Sequence, residues 1–424
     1  MKNIINIVKQ EDKFILFIYF YMFIMPWNFF KWQMGVLTIV LFIWWLIKYK
    51  SSILFRLKTI LEFKPLLLLC IFILYTYTSS LWSDSIIDGI NYVSSFHKYY
   101  FLFIPVLFTT LNIKEAKRSI ILFLISFSLY SIFSFLIYLG FFTITDTNSS
   151  SVNPKGIMGY AIVTQYMAIG AISTFVYAYF SKKKSLKVIF YILSFINFIT
   201  LFVNNSRTAQ LAFLLSIFTI LIITSYKRIF QLKSMLTFIS LFSLTLLSGY
   251  ILLENSHKTS RYNQAFNEAK KVFFDNKFEG SFGLRVYFNK VGIEGLKKQP
   301  ILGFGPEDNV KFFEDYQLND KNYTYNKIFT TYHSEHFDLI TRYGLLGYVL
   351  LVFSIIWLLF LLKKYDLKYF IIGTSFYVVV FYISLANATF SKKPINYMLI
   401  TVFVLLSIIT YQKMREKRIS KISQ

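Results

Sequence analysis

The feature that most constrains this chain is a succession of apolar runs, each close to the length that crosses a bilayer. We read twelve, at roughly 14–30, 34–47, 65–82, 99–113, 119–141, 158–180, 188–203, 208–225, 235–253, 337–362, 369–387 and 395–411. About 20 apolar residues span the hydrocarbon as a helix, so twelve spans use roughly 240 residues. With 56% of its 424 residues hydrophobic, the chain has little left for soluble mass. Charged residues make up 16%, against about 25% in average soluble domains, which argues against a soluble globule. Disorder needs low hydrophobicity, and a disulfide scaffold is impossible with one cysteine, Cys70, inside an apolar run.

The formal charge of +24 is compatible with nucleic acid, but its distribution fits a membrane. With both termini cytoplasmic, 26 Lys and Arg fall in the inside loops and tail and 6 in the short outside loops. This is the asymmetry of the positive-inside rule. The other 13 lie in the segment 254–336 and just after it. The expected fold is therefore an all-α polytopic membrane protein of about twelve helices. Residues 1–253 hold spans one to nine. Residues 254–336 form a large outside (periplasmic) loop, and 337–424 hold the last three spans and a basic cytoplasmic tail. The first run lacks a small-residue cleavage site and is expected to remain as a span.

Segment 254–336 carries 12 Lys+Arg and 11 Asp+Glu and is too long for a structureless loop. Arg261–Phe274 and Leu284–Lys298 read as amphipathic helices. In the second, Leu284, Phe288, Val291 and Gly295 recur at three- and four-residue steps. Pro300 ends it, and Leu302-Gly303-Phe304-Gly305-Pro306 reads as a turn. Gly303-x-Gly305 is not a nucleotide loop, because no third glycine arrives in register. No metal-ligand spacing is visible. The pairs Glu307-Asp308 and Glu314-Asp315 read as solvated charge more readily than as an ion site.

A few polar residues stand out. Arg207 follows Ser206, a candidate cap for span eight, so it falls in a first helical turn, where a cation opposes the dipole. It reads either as a snorkelling interfacial arginine or as a phosphate clamp, since a guanidinium offers a bidentate fork. Arg285 reads as a solvated charge or as a second phosphate ligand. His333 lies at the expected water–membrane boundary. Continued as a helix, it shares a face with Gly344 and Gly347, within roughly 20° and 40° at about 100° per residue. Such glycines allow close helix packing. His333 reads as an interfacial histidine or as a general base, with His336, one turn on, as the competitor.

His333-Ser334, nine residues, then Gly344-Leu345-Leu346-Gly347 resembles the histidine signature of bacterial O-antigen ligases and related O-oligosaccharyltransferases. Ser206–Ala209 resembles the arginine segment of the same families, as does Leu284-Arg285 followed by Gln299–Gly305. Tyr348 departs from the small or β-branched residue expected after the last glycine. The resemblance implies a GT-C-like fold in the bacterial inner membrane with its site facing the periplasm. It also implies metal-independent, inverting transfer of a glycan, without a cofactor, from undecaprenyl diphosphate to a lipid A–core hydroxyl. His333 would be the base, Arg207 and Arg285 would hold the diphosphate, and His336 would lie near substrate. The resemblance separates ligases poorly from O-antigen polymerases and protein O-oligosaccharyltransferases. A lipid or glycan transporter would favour mid-membrane charge and internal symmetry, neither of which is evident.

Overall fold

The computed structural model describes residues 12–27, 29–30, 32–204, 206–225, 259–275, 277–320, 323, 325–390 and 392–422. The expected span at 235–253 lies outside the described residues. The described chain is helical, apart from two isolated bridges that brace the turn after residue 143. Before the polar segment the helices are α1 (Lys13–Ile24), α2 (Gln33–Tyr49), α3 (Ile53–Glu62), α4 (Lys64–Thr78), α5 (Ile86–His97), α6 (Tyr100–Thr110), α7 (Ile113–Tyr138), α8 (Tyr160–Tyr179), α9 (Lys184–Val203) and α10 (Arg207–Ser225). The segment itself holds α11 (Thr259–Asp275), α12 (Gly280–Lys298) and α13 (Asp308–Asn319). Beyond it lie α14 (Glu335–Tyr365), α15 (Leu367–Ser384) and α16 (Lys393–Ile422).

Among the described residues nine helices are long and apolar enough to cross a membrane, and the chain is a multi-pass membrane protein. Two expected spans are shorter than their apolar runs. α1 has 12 residues and α6 has 11, about 18 and 16 Å at 1.5 Å per residue. Asp12 caps the start of α1, its carboxylate accepting from Phe14 N at 2.9 Å. α6 is stopped by Leu111, in extended backbone. α3 and α5 are amphipathic helices in stretches read as loops.

Each helix satisfies its own backbone, so burial follows from side chains. The apolar window of α16 is entirely buried, which makes α16 the centre of the bundle. α2 is peripheral: Val36, Ile39, Val40, Ile43 and Ile47 are exposed at helical steps. Such a stripe would aggregate in water but matches lipid. Small residues and polar pairs join α7, α8 and α9. A Cβ on Gly170 would come within 2.6 Å of the Asn197 amide oxygen. Asn197 in turn accepts from Ser131 at 2.7 Å and donates to Ser128 at 2.8 Å, as membrane helix interfaces commonly do.

The polar segment builds its own small core. α11 and α12 lie where the amphipathic pattern predicts them, and Tyr287, Phe288 and Val291 pack with Phe313 and Tyr332. Segment 299–306 then docks into α14. Gly344 breaks that helix, with φ +66° and ψ 178°. Across the break Phe304 N donates to Thr341 O at 2.8 Å and Gly305 N to Arg342 O at 3.0 Å. Leu345 N donates to Pro300 O at 2.9 Å and Leu346 N to Ile301 O at 3.2 Å. The carbonyls and N–H groups released by the break are thus re-bonded. A Cβ on Gly344 would lie 1.9 Å from Ile301 O, so only glycine fits.

Candidate functional site

Of the residues singled out in the sequence, Arg285 and His333 meet where α12, the loop before α14 and the α15–α16 loop come together. A cavity of about 520 Å³ is lined there by Arg285, His333, Ser334, Tyr160, Tyr92, Thr331 and Lys392, among others. That is within the usual size of a ligand pocket.

His333 does not continue α14. It precedes the helix and holds a left-handed φ of 47°. For a residue other than glycine this costs on the order of 1–3 kcal/mol, and such strain clusters at functional sites. The expected shared face of His333, Gly344 and Gly347 therefore does not exist: the helix starts after His333 and is broken at Gly344. Gly347 does give close packing, for a Cβ there would come within 2.8 Å of the Tyr75 ring on α4. The His333 ring stacks on Phe288, 5.7 Å between centroids, and meets Phe329 edge-on at 6.1 Å. It is half-buried. Burial, then the charges of Arg285, Lys392 and Lys327, hold its pKa below the ordinary value. The ring is thus kept neutral, the state a base requires.

Arg285 is anchored from two sides: Nε donates to Ala386 O at 3.0 Å and Nη1 to Ser281 Oγ at 3.0 Å. Burial and the cation of Arg207 depress its pKa, against the pull of Tyr160 and Glu268. The charge of Arg207 is thus felt at Arg285 despite their separation in sequence. Arg207 is the first residue of α10, and Gln210 N donates to Ser206 O at 2.9 Å, as at a helix start. The cavity wall is formed by Arg285 rather than by Arg207.

His336 is placed differently from the expectation. Its Nε2 meets Phe381 O at 3.0 Å and its Nδ1 meets the Tyr348 hydroxyl at 2.9 Å. Both nitrogens are committed to a helix interface, and the ring is not in the cavity wall. Tyr348, the departure from the family pattern, is the partner that holds it there. His97 is buried, with Nδ1 3.0 Å from Thr76 Oγ1; His257 lies outside the described residues.

Neither carboxylate near His333 orients it. Glu335 accepts from Thr389 N at 2.6 Å. Asp338 pairs with buried Arg342 through Nη2–Oδ1 at 2.9 Å and Nε–Oδ2 at 3.2 Å. Asn309 donates to Asp338 Oδ1 at 3.2 Å and accepts from the Tyr332 hydroxyl at 3.1 Å. Arg342 also donates to Pro306 O and lies 4.1 Å from the Tyr92 ring centroid. This pair fixes the floor of the cavity, and breaking such a buried pair costs about 3–5 kcal/mol.

Sequence reasoning passed over Lys392 and Arg342, and it offered Asp338, with Glu335, as the carboxylate that orients His333, whereas Asp338 is paired with Arg342. Lys392 appeared there only as one outside charge. Its position after span eleven, at the same membrane boundary as His333, was the available signal. The cavity is thus a concave surface with cations at its rim, a neutral imidazole on an aromatic shelf, and one carboxylate already neutralised. It is suited to an anion adjoining a proton acceptor.

No curated protein matches the chain. The family read from the histidine and arginine motifs is borne out over the segment that carries Arg207, Arg285, His333 and Gly344: residues 192–352 match the family model described as O-antigen ligase.

Proposed function

We propose that the chain is a glycosyltransferase that moves a glycan from undecaprenyl diphosphate to a lipid A–core hydroxyl at the periplasmic face of the inner membrane. The observation that carries this reading is the clustering of Arg285, Lys392 and neutral His333 around one cavity, with the charge of Arg207 felt at Arg285. Cations held together repel, and a bound diphosphate relieves that repulsion. A site at the membrane boundary reaches two lipid-anchored substrates.

In the proposed step the acceptor oxygen attacks the anomeric carbon from the face opposite the diphosphate. Its proton passes to His333, the carbon–oxygen bond to the diphosphate breaks, and the configuration inverts. The leaving diphosphate gains charge, and positive groups placed where charge develops stabilise the transition state. Arg207, Arg285 and Lys392 have that role. The acceptor oxygen gains nucleophilicity as it loses its proton, which is general-base catalysis.

A polymerase acting on a second lipid-linked repeat would use the same site chemistry, so the acceptor decides between the two. The surface glycolipids of a strain lacking the gene test this. The ligase reading expects core without attached glycan. Single repeats on core would indicate a polymerase, and an unchanged glycolipid ladder would contradict both.

A further inference from the structure

A second cavity of about 460 Å³ lies against α13, lined by Trp82, Asp84, Gln299, Phe304, Lys311 and Asp315 with neighbouring residues. On α13, Asp308, Lys311, Phe312 and Asp315 stand at i, i+3, i+4 and i+7, on one face of the helix. The opposite face buries Asn309, Phe313 and Gln317, and Asn309 joins the Asp338–Arg342 floor of the first cavity. Val310 lines that first cavity directly. One helix thus borders both. Segment 299–306 gives Phe304 to the second cavity and, through the Pro306 carbonyl, accepts from Arg342, which lines the first.

The two walls differ in chemistry. The first cavity carries Arg285 and Lys392, whereas the second carries three aspartates and one lysine. That lysine, Lys311, is paired with Asp84 at 2.9 Å, and Lys298 Nζ lies 5.0 Å from the Phe312 ring centroid, so Asp308 and Asp315 are the carboxylates that the wall offers beyond that pair. Phe304 and Phe312 stack at 4.5 Å and 14°, and with Trp82 they form an aromatic wall. Asp308 Oδ2 accepts from Asp84 N at 2.8 Å, which ties α13 to the loop after α4 and holds the walls in register.

We propose that this cavity is a saccharide subsite for a neutral or amino-bearing pyranose. The axial C–H face of a pyranose is apolar and lies against aromatic rings, while its hydroxyls donate to carboxylates and exchange hydrogen bonds with the Gln299 amide. Its link to catalysis rests on the proposed function: a glycan held by its diphosphate in the first cavity extends past α13, and this is where further sugars are gripped.

The test is a saturation-transfer NMR titration of the full chain in nanodiscs with free oligosaccharides, which carry neither lipid nor diphosphate. The probes are maltotetraose, a glucosamine tetramer and, as an anionic control, a heparin tetrasaccharide. The subsite predicts binding of the first two, at least a tenfold weakening of it in Asp315→Lys and in Phe312→Ala, and no loss in Asp315→Lys of heparin bound at the cationic first cavity. Asp315 is exposed, so Asp315→Lys decides if Phe312→Ala folds poorly. Absence of binding by both uncharged and amino probes, or unchanged binding of both in Asp315→Lys, overturns it. Transfer is not part of the readout. Binding without transfer activity would sink the proposed function alone, and transfer without binding would sink the subsite alone.

Discussion

At His333 every influence on the imidazole acts in one direction. Burial and the cations Arg285, Lys392 and Lys327 all disfavour its protonated form, so it remains a base at lower pH than a free imidazole. The acid limb of the transfer rate is therefore expected below pH 6.5, the ordinary histidine value. A pH profile of kcat/KM checks this; an acid limb above 6.5 would mean that another group titrates. Arg285 spends two donors on Ala386 and Ser281, leaving the rest of its fork for an anion. A lysine has a point charge and cannot do both. Arg285→Lys should therefore lower transfer by about tenfold or more, the loss of a charge-assisted contact worth about 1.5–3 kcal/mol. Measured rates at saturating acceptor would show it, and a parental rate would remove the fork from the account. His333 and Arg285, which line the cavity, stood out in the sequence because their spacing matches a family pattern; Arg207 stood out for the same reason but does not line it. The backbone state of His333 was not, since a left-handed residue before a helix leaves no mark in periodicity.

At the scale of elements, the break in α14 organises the site. Segment 299–306 replaces the missing helical hydrogen bonds, carries Phe304 to one cavity and holds Arg342 of the other through the Pro306 carbonyl. Gly344→Ala is predicted to be severely destabilising, because its Cβ would overlap Ile301 O and its φ is left-handed. A melting curve of the purified variant should fall well below the parent, with helix content in the bundle retained. Gly347→Ala should be milder, since Gly347 has no left-handed φ, but still costly, because its Cβ would lie 2.6 Å from Tyr343 Cβ and 2.8 Å from the Tyr75 ring. Both glycines read in the sequence as packing residues at helical spacing, and only Gly347 is one. α12 was legible because its apolar residues keep a strict helical period. α13 was not: Phe312, Phe313 and Tyr316 are scattered among Asp, Asn and Gln, and the helix packs on neighbours distant in sequence.

For the whole molecule, the apolar runs and the sorting of basic residues carried most of the architecture. The misjudged spans were those where an apolar run continues past a helix end, as at α1 and α6. The basic-residue distribution predicts that Lys183 and Lys327 lie on opposite sides of the membrane. Reporter fusions at the two positions check this, and the same side for both would contradict the orientation on which the site's access to its substrates depends. The central claim, base-assisted transfer from a lipid diphosphate in the cationic cavity, is tested most directly in proteoliposomes. Purified parent and His333→Ala protein are given a labelled undecaprenyl diphosphate–linked glycan and a lipid A–core acceptor. The account predicts transfer by the parent and a loss of about 10²–10⁴-fold in His333→Ala, with insertion and folding unchanged. Transfer by His333→Ala at the parental rate would contradict it.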